Sequence, residues 1–130
     1  MDNNLTTLGK RENVEKFSDN PNFKFYEINI DDTETFCETL KDEEIDIVYH
    51  LAANSDIQKG GKNPSVDYGD TFMTTYSVLE LIRRKNIKNL FFSSTSAIYG
   101  DEHDKMLTET LGGLFPISYY GGAKFASENF

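Results

Sequence analysis

The run FFSSTSAIYG (Phe91–Gly100), followed after a loop by YYGGAK (Tyr119–Lys124), decides how this 130-residue chain is read. Phe91 and Phe92 are an apolar pair feeding a run of small hydroxyl residues, the pattern of a buried strand that stops at a polar edge. The stretch GGAKFASENF beyond Tyr120 contains no proline. A helix there would project Tyr120 and Lys124, four residues apart, from one face. A tyrosine beside a lysine is an acid/base unit, because the ammonium favours the phenolate and lowers the tyrosine pKa. Thr95, at the strand end, is placed to hydrogen-bond the same reacting oxygen. By itself Tyr-x-x-x-Lys recurs by chance, and a half-buried tyrosine with a solvated lysine is its plain alternative.

Working outward, the length suits one domain. Many Phe and Tyr with no Trp suit a soluble packed core. A net charge of −9 argues against a nucleic-acid backbone as partner, since such readers are basic. No apolar run is long enough to span a bilayer, and MDNNLTTLGK lacks the basic-then-apolar pattern of a signal. Cys37 is the single cysteine, so no intrachain disulfide forms, which suits a reducing cytoplasm. Two histidines and one cysteine, scattered, make no metal constellation.

The remaining elements follow from periodicity and capping. Met1–Asn20 reads as a polar leader with a short helical piece near Glu12–Phe17. Asn22–Ile30 alternates apolar and polar residues and predicts a strand. Asp32 predicts a helix cap, with Phe36, Cys37 and Leu40 at helical spacing behind it, and Cys37 as a small core residue. Ile45–Ala53 predicts a buried strand, in which His50 is a hydrogen-bonded structural histidine rather than a base. Gln58–Asp67 reads as a loop, and Pro64 can open the next helix. Val66–Arg84 predicts one long amphipathic helix, ended by Asn86 and Lys88. Asp101–Ser118 reads as a polar loop.

The combination of Ser93-Ser94-Thr95, then Ala97-Ile98-Tyr99-Gly100, then Tyr120-x-x-x-Lys124 resembles the extended short-chain dehydrogenase/reductases, specifically their nucleotide-sugar epimerase/dehydratase group. The resemblance covers nearly the whole chain. It implies an α/β fold, a Rossmann-like doubly wound parallel sheet with flanking helices, here a partial dinucleotide-binding domain over residues 1–130 with no second domain. It implies NAD as cofactor. The acid that binds the adenosine ribose falls on Asp2, or the alignment places Asn3 there. Asn29 falls where an acid contacts adenine, with Ile30 beside it, and an amide oxygen can still accept there. Ala52 and Ala53, in Val48-Tyr49-His50-Leu51-Ala52-Ala53, form the edge where backbone approaches the dinucleotide. Thr71 stands for a cofactor-touching Asn, Thr74 for a Gly, and Thr75 keeps the family's Thr. Ser93, Tyr120 and Lys124 complete the cofactor contacts.

The resemblance also predicts what should be missing. A first strand, its Gly-x-x-Gly-x-x-Gly turn and the following helix belong before Met1, and a substrate-binding part belongs after Phe130. Gly60-Gly61, Gly112-Gly113 and Gly121-Gly122 do not follow a strand and open a helix. The expectation is an internal fragment that is inactive alone. In the parent, the implied catalytic set is Thr95, Tyr120 and Lys124. Related dehydratases carry an acid two residues after the active Thr, and here that position is Ala97. The implied reaction is therefore epimerisation of a nucleotide sugar, at C4 of a UDP-hexose, in a homodimer. A sugar reductase or dehydratase of the same family, or a non-catalytic remnant, is the alternative.

Overall fold

The computed structural model describes residues 8–101 and 106–130, with side chains from residue 11 onward. Asp2 and Asn3, the two positions expected at the ribose, lie outside the described residues. Parallel pairing sets the frame. β1 (Ile47–His50) and β2 (Asn89–Phe92) form a two-stranded sheet with Ile47 opposite Asn89 and His50 opposite Phe92. Parallel strands cannot be joined by a tight turn, so the chain leaves the sheet and returns. It does so through α3 (Ile57–Lys62), α4 (Pro64–Asp67), a π-helical turn (Tyr68–Met73) and α5 (Thr74–Lys85). Ahead of the sheet lie α1 (Leu8–Glu15) and α2 (Thr33–Thr39); beyond it lie a 3-10 turn (Ser96–Tyr99) and α6 (Tyr119–Glu128). The architecture is α/β, a small parallel sheet with flanking helices. Among the described residues no helix is long and apolar enough to cross a membrane.

The caps behave as their residue types dictate. Asp32 Oδ1 accepts from Thr35 N at 3.2 Å, and Thr35 Oγ1 donates to Asp32 Oδ2 at 2.7 Å. Pro64 occupies the first turn of α4 behind the Asn63 cap. α5 ends at Asn86, whose φ of 55° is left-handed, with Arg83, Arg84 and Lys85 against the negative end of the helix dipole. The core joins Phe36 and Cys37 of α2 to Val78 and Leu81 of α5 and to Ile87; Ile28, Ile30, Val48 and Leu90 pack around it. Burial pushes the Cys37 thiol up from its ordinary pKa, as suits an inert core residue.

Four expectations need correction. Asn22–Ile30 forms no strand, because among the described residues no neighbouring strand offers it a ladder. It is tied down by side chains: Lys24 Nζ and Tyr26 Oη both donate to Glu43, at 2.7 and 2.6 Å. Gln58–Asp67 is not a loop. Asp56 Oδ1 accepts from Lys59 N at 3.0 Å and starts α3, despite its glycine pair. The long helix over 66–84 is interrupted by the π-helical turn. Thr74 Oγ1 donates to the carbonyls of Asp70 and Thr71 at 3.0 Å each, and Thr75 Oγ1 donates to that of Thr71 at 2.9 Å. These hydroxyls satisfy carbonyls where the regular helical ladder is broken. Finally, β1 and β2 are buried on one face only. His50 is 3% exposed, whereas Tyr49 is 66% and Phe91 56% exposed.

Candidate functional site

Because β1 and β2 are parallel, their carboxyl ends emerge at one edge, where open α/β sheets bind ligands. Ser93 extends the pairing by one residue: its N and Oγ both donate to the His50 carbonyl, at 3.2 Å each. The Ser93 hydroxyl is thus directed to β1, and its carbonyl is the group left for α6. Ala52 and Ala53, just past β1, are half-buried and small.

Thr95 caps the 3-10 turn, its Oγ1 accepting from Ala97 N at 3.2 Å. Its hydroxyl proton remains available to an incoming oxygen. The turn also seats α6. Ser118 Oγ accepts from Gly121 N at 3.0 Å, capping the helix. A Cβ at position 121 would lie 2.7 Å from the Ala97 carbonyl, so glycine is what lets the helix start rest on the turn. That contact places Tyr120, half-buried, beside the segment carrying Thr95.

One turn further along α6, Lys124 is 1% exposed. Its Nζ donates to the Ser93 carbonyl at 2.6 Å and lies 4.5 Å from the centre of the Phe92 ring. The solvated lysine that Tyr-x-x-x-Lys allowed is therefore not what the chain builds. Burial pushes Lys124 below its ordinary pKa, and Glu128 opposes that shift. Burial and then the Lys124 cation push His50 down to about 4. The proton of Thr75 Oγ1 goes to the Thr71 carbonyl, so at 2.9 Å from His50 Nε2 this oxygen accepts, and the imidazole carries its proton on Nε2. His50 is a neutral structural histidine, as its apolar strand implied.

Thr71 is wholly buried, and its Oγ1 accepts from Asn54 N at 3.1 Å. It braces the loop after β1. Asn29 is exposed, and Ile30 packs against the core. Sequence reasoning passed over Asn54 and Asp67. Asn54 Nδ2 donates to Asp67 Oδ1 at 2.8 Å, and its Oδ1 accepts from Asp56 N at 2.9 Å. The Asn-Ser-Asp run at 54–56 was the available signal, since such residues bond backbone two positions on. Asp67 Oδ2 packs on Gly60, where a Cβ would meet it at 1.8 Å. Between α4, the π-helical turn and α6 lies an apolar cleft of about 340 Å³, lined by Tyr68, Phe72, Tyr119 and Ala123 among others.

Comparisons with known proteins bear on the family and the fold. Residues 2–130 match the profile described as the NAD dependent epimerase/dehydratase family. A UDP-glucose 4-epimerase of Lactobacillus helveticus is 37% identical over 108 residues, which are 83% of this chain and 32% of that relative. The UDP-Glc/GlcNAc 4-epimerase of Campylobacter jejuni superposes with a TM-score of 0.83 at 28% identity, over 92% of this chain and 36% of that one. The UDP-glucose 4-epimerase of Thermotoga maritima, solved with UDP-glucose, gives 0.76 at 32% identity, over 85% and 36%. The chain thus spans about a third of the length of the relatives it matches. A match over residues 2–130, on a parallel pair of strands whose carboxyl ends lie beside Thr95 and the buried Lys124 of α6, means that this chain belongs to the NAD-dependent epimerase/dehydratase family.

Proposed function

We propose that this chain is part of a dinucleotide-binding domain, spanning residues 1–130, of an enzyme that epimerises a nucleotide sugar, a UDP-hexose at C4. The observation carrying this reading is Lys124, buried and anchored on the Ser93 carbonyl at the carboxyl edge of the sheet, one turn from Tyr120 and close to Thr95. The donor set suits the nicotinamide-ribose half of NAD: a lysine ammonium, small Ala52 and Ala53, and open strand ends. The Gly-rich turn that would receive the pyrophosphate is not among these residues, so the reading assigns that contact to another part of the enzyme. Bound NAD supplies a reversible hydride acceptor, which lets a sugar carbon be oxidised and then reduced from its other face.

Within that reading, Tyr120 takes the proton of the sugar hydroxyl as a phenolate and returns it later. Lys124 favours the phenolate and holds the nicotinamide ribose. Thr95 donates its free proton to the sugar oxygen, which Tyr120 shares. Ala97 offers no carboxylate for elimination, which favours epimerisation over dehydration. Asp2, Asn29, Ile30, Thr71 and Ser93 are proposed cofactor neighbours; for Thr71 and Ser93 the support is indirect, through the loop and the lysine that they hold. The apolar cleft that the π-helical turn and α6 wall beside Tyr119 and Ala123 favours a homodimer with residues 66–84 and 121–130 at its interface. A single buried thiol suits the cytoplasm.

The test is turnover by the enzyme whose open reading frame contains these residues, with UDP-glucose as substrate. Tyr120→Phe should lower turnover by about a hundredfold or more. Near-normal turnover in that variant would sink the mechanism. Consumption of reduced cofactor without epimer formation would favour a reductase, and failure to bind NAD would favour a non-catalytic remnant. Sedimentation of the same enzyme reports its subunit number.

A further inference from the structure

We infer that Phe92 is a positioning residue for Lys124, its ring face holding the buried ammonium against the Ser93 carbonyl. The inference rests on the proposed role of Lys124 beside Tyr120, but its geometry stands independently. Lys124 Nζ is enclosed and makes a 2.6 Å hydrogen bond to a neutral carbonyl. Among the described residues no carboxylate lies within ion-pair distance of it. A buried cation in that position needs a further source of negative potential. The Phe92 face, 4.5 Å away, supplies one.

The ring is itself held in place by a neighbour. His50 stacks on its neighbour Phe92 at 5.6 Å and 30°, and its Nε2 is locked on Thr75 at 2.9 Å. The charged and titratable groups around Nζ are therefore few. From β1 comes His50, uncharged at neutral pH; from α6 come Tyr120 and, raising the lysine's proton affinity, Glu128. β2 contributes the Phe92 ring and the Ser93 carbonyl, both without net charge. A leucine at position 92 would fill much of the same space but present no negative face.

The experiment follows the ionisation of Lys124 in the full 130-residue chain carrying 13C-labelled lysine, by the pH dependence of its Cε resonance, assigned by its loss in Lys124→Met. Position 92 is occupied in turn by phenylalanine and by mono-, di- and trifluorinated phenylalanine. Fluorination keeps the ring's shape while draining its face of negative charge. The midpoint of Lys124 should fall stepwise, by about one unit across the series, a tenfold loss of proton affinity. Phe92→Leu should give a similar fall, and Phe92→Tyr should restore the parent value. If Phe92→Leu fails to fold, the near-isosteric fluorinated series still decides. A midpoint that stays constant across that series overturns the inference. Because the readout is a titration and not turnover, failure of the epimerase reading would leave it intact.

Discussion

The two faces of the β1–β2 sheet are made from equally apolar residues and have opposite fates. Val48, His50, Leu90 and Phe92 face inward, under α5 and α6, and meet the core or the buried lysine. Ile47, Tyr49 and Phe91 face outward, with no helix over them among the described residues, and Tyr49 and Phe91 stack on each other at 4.9 Å and 9°. Strands apolar on both sides belong to parallel sheets covered on both faces. The inner face therefore carries both stability and chemistry, while the outer face has the composition of an interior surface without the packing of one.

The sharpest way to break this contrast is a cavity on the covered side. Leu81→Ala, on α5 within the core, should cost about 3 kcal/mol in urea denaturation, from lost burial plus the void left behind. The next largest effect is an acid sensitivity that only the inner face possesses. His50 is held near 4 in the fold against an ordinary value of 6.5, so the unfolded chain binds more protons between those values. Stability is thus fully present above about pH 6.5 and declines as pH falls towards 4, by about 2 kcal/mol at pH 5. His50→Gln should flatten that part of the stability–pH curve, and an unchanged slope would show that other groups govern it.

The smallest effect belongs to the outer face. Phe91→Ser removes a stacked pair and little buried area, so it should change stability by less than about 1 kcal/mol. It should also reduce binding of a hydrophobic dye, because the patch it interrupts is exposed. A loss as large as that of Leu81→Ala would mean that this face is covered in solution, and would turn the contrast between the faces into a question of which partner covers it.

Much of this was legible before the fold was known, wherever the signal is local. Asp32, Pro64 and Asn86 mark helix ends because a cap acts on the turn next to it. The apolar runs at 45–53 and 90–94 marked strands, and each found a partner in the other. Asn22–Ile30 carries an equally good alternation and forms no strand, since a ladder depends on a neighbour and not on the segment's own pattern. The glycine pair at 60–61 read as a loop because the Asp56 cap and the Asp67 carboxylate against Gly60 involve side chains outside the pair.

The site divides in the same way. Residue order along short stretches is enough for the family, the α/β class and the spacing that puts Tyr120 and Lys124 on one helical face. What that lysine is depends on packing between distant segments. Its burial, its bond to the Ser93 carbonyl and its seat on the Phe92 ring arise where α6 crosses the end of β2, 31 residues earlier in the chain. Charge state and burial depend on everything packed around a group, and no local pattern encodes that.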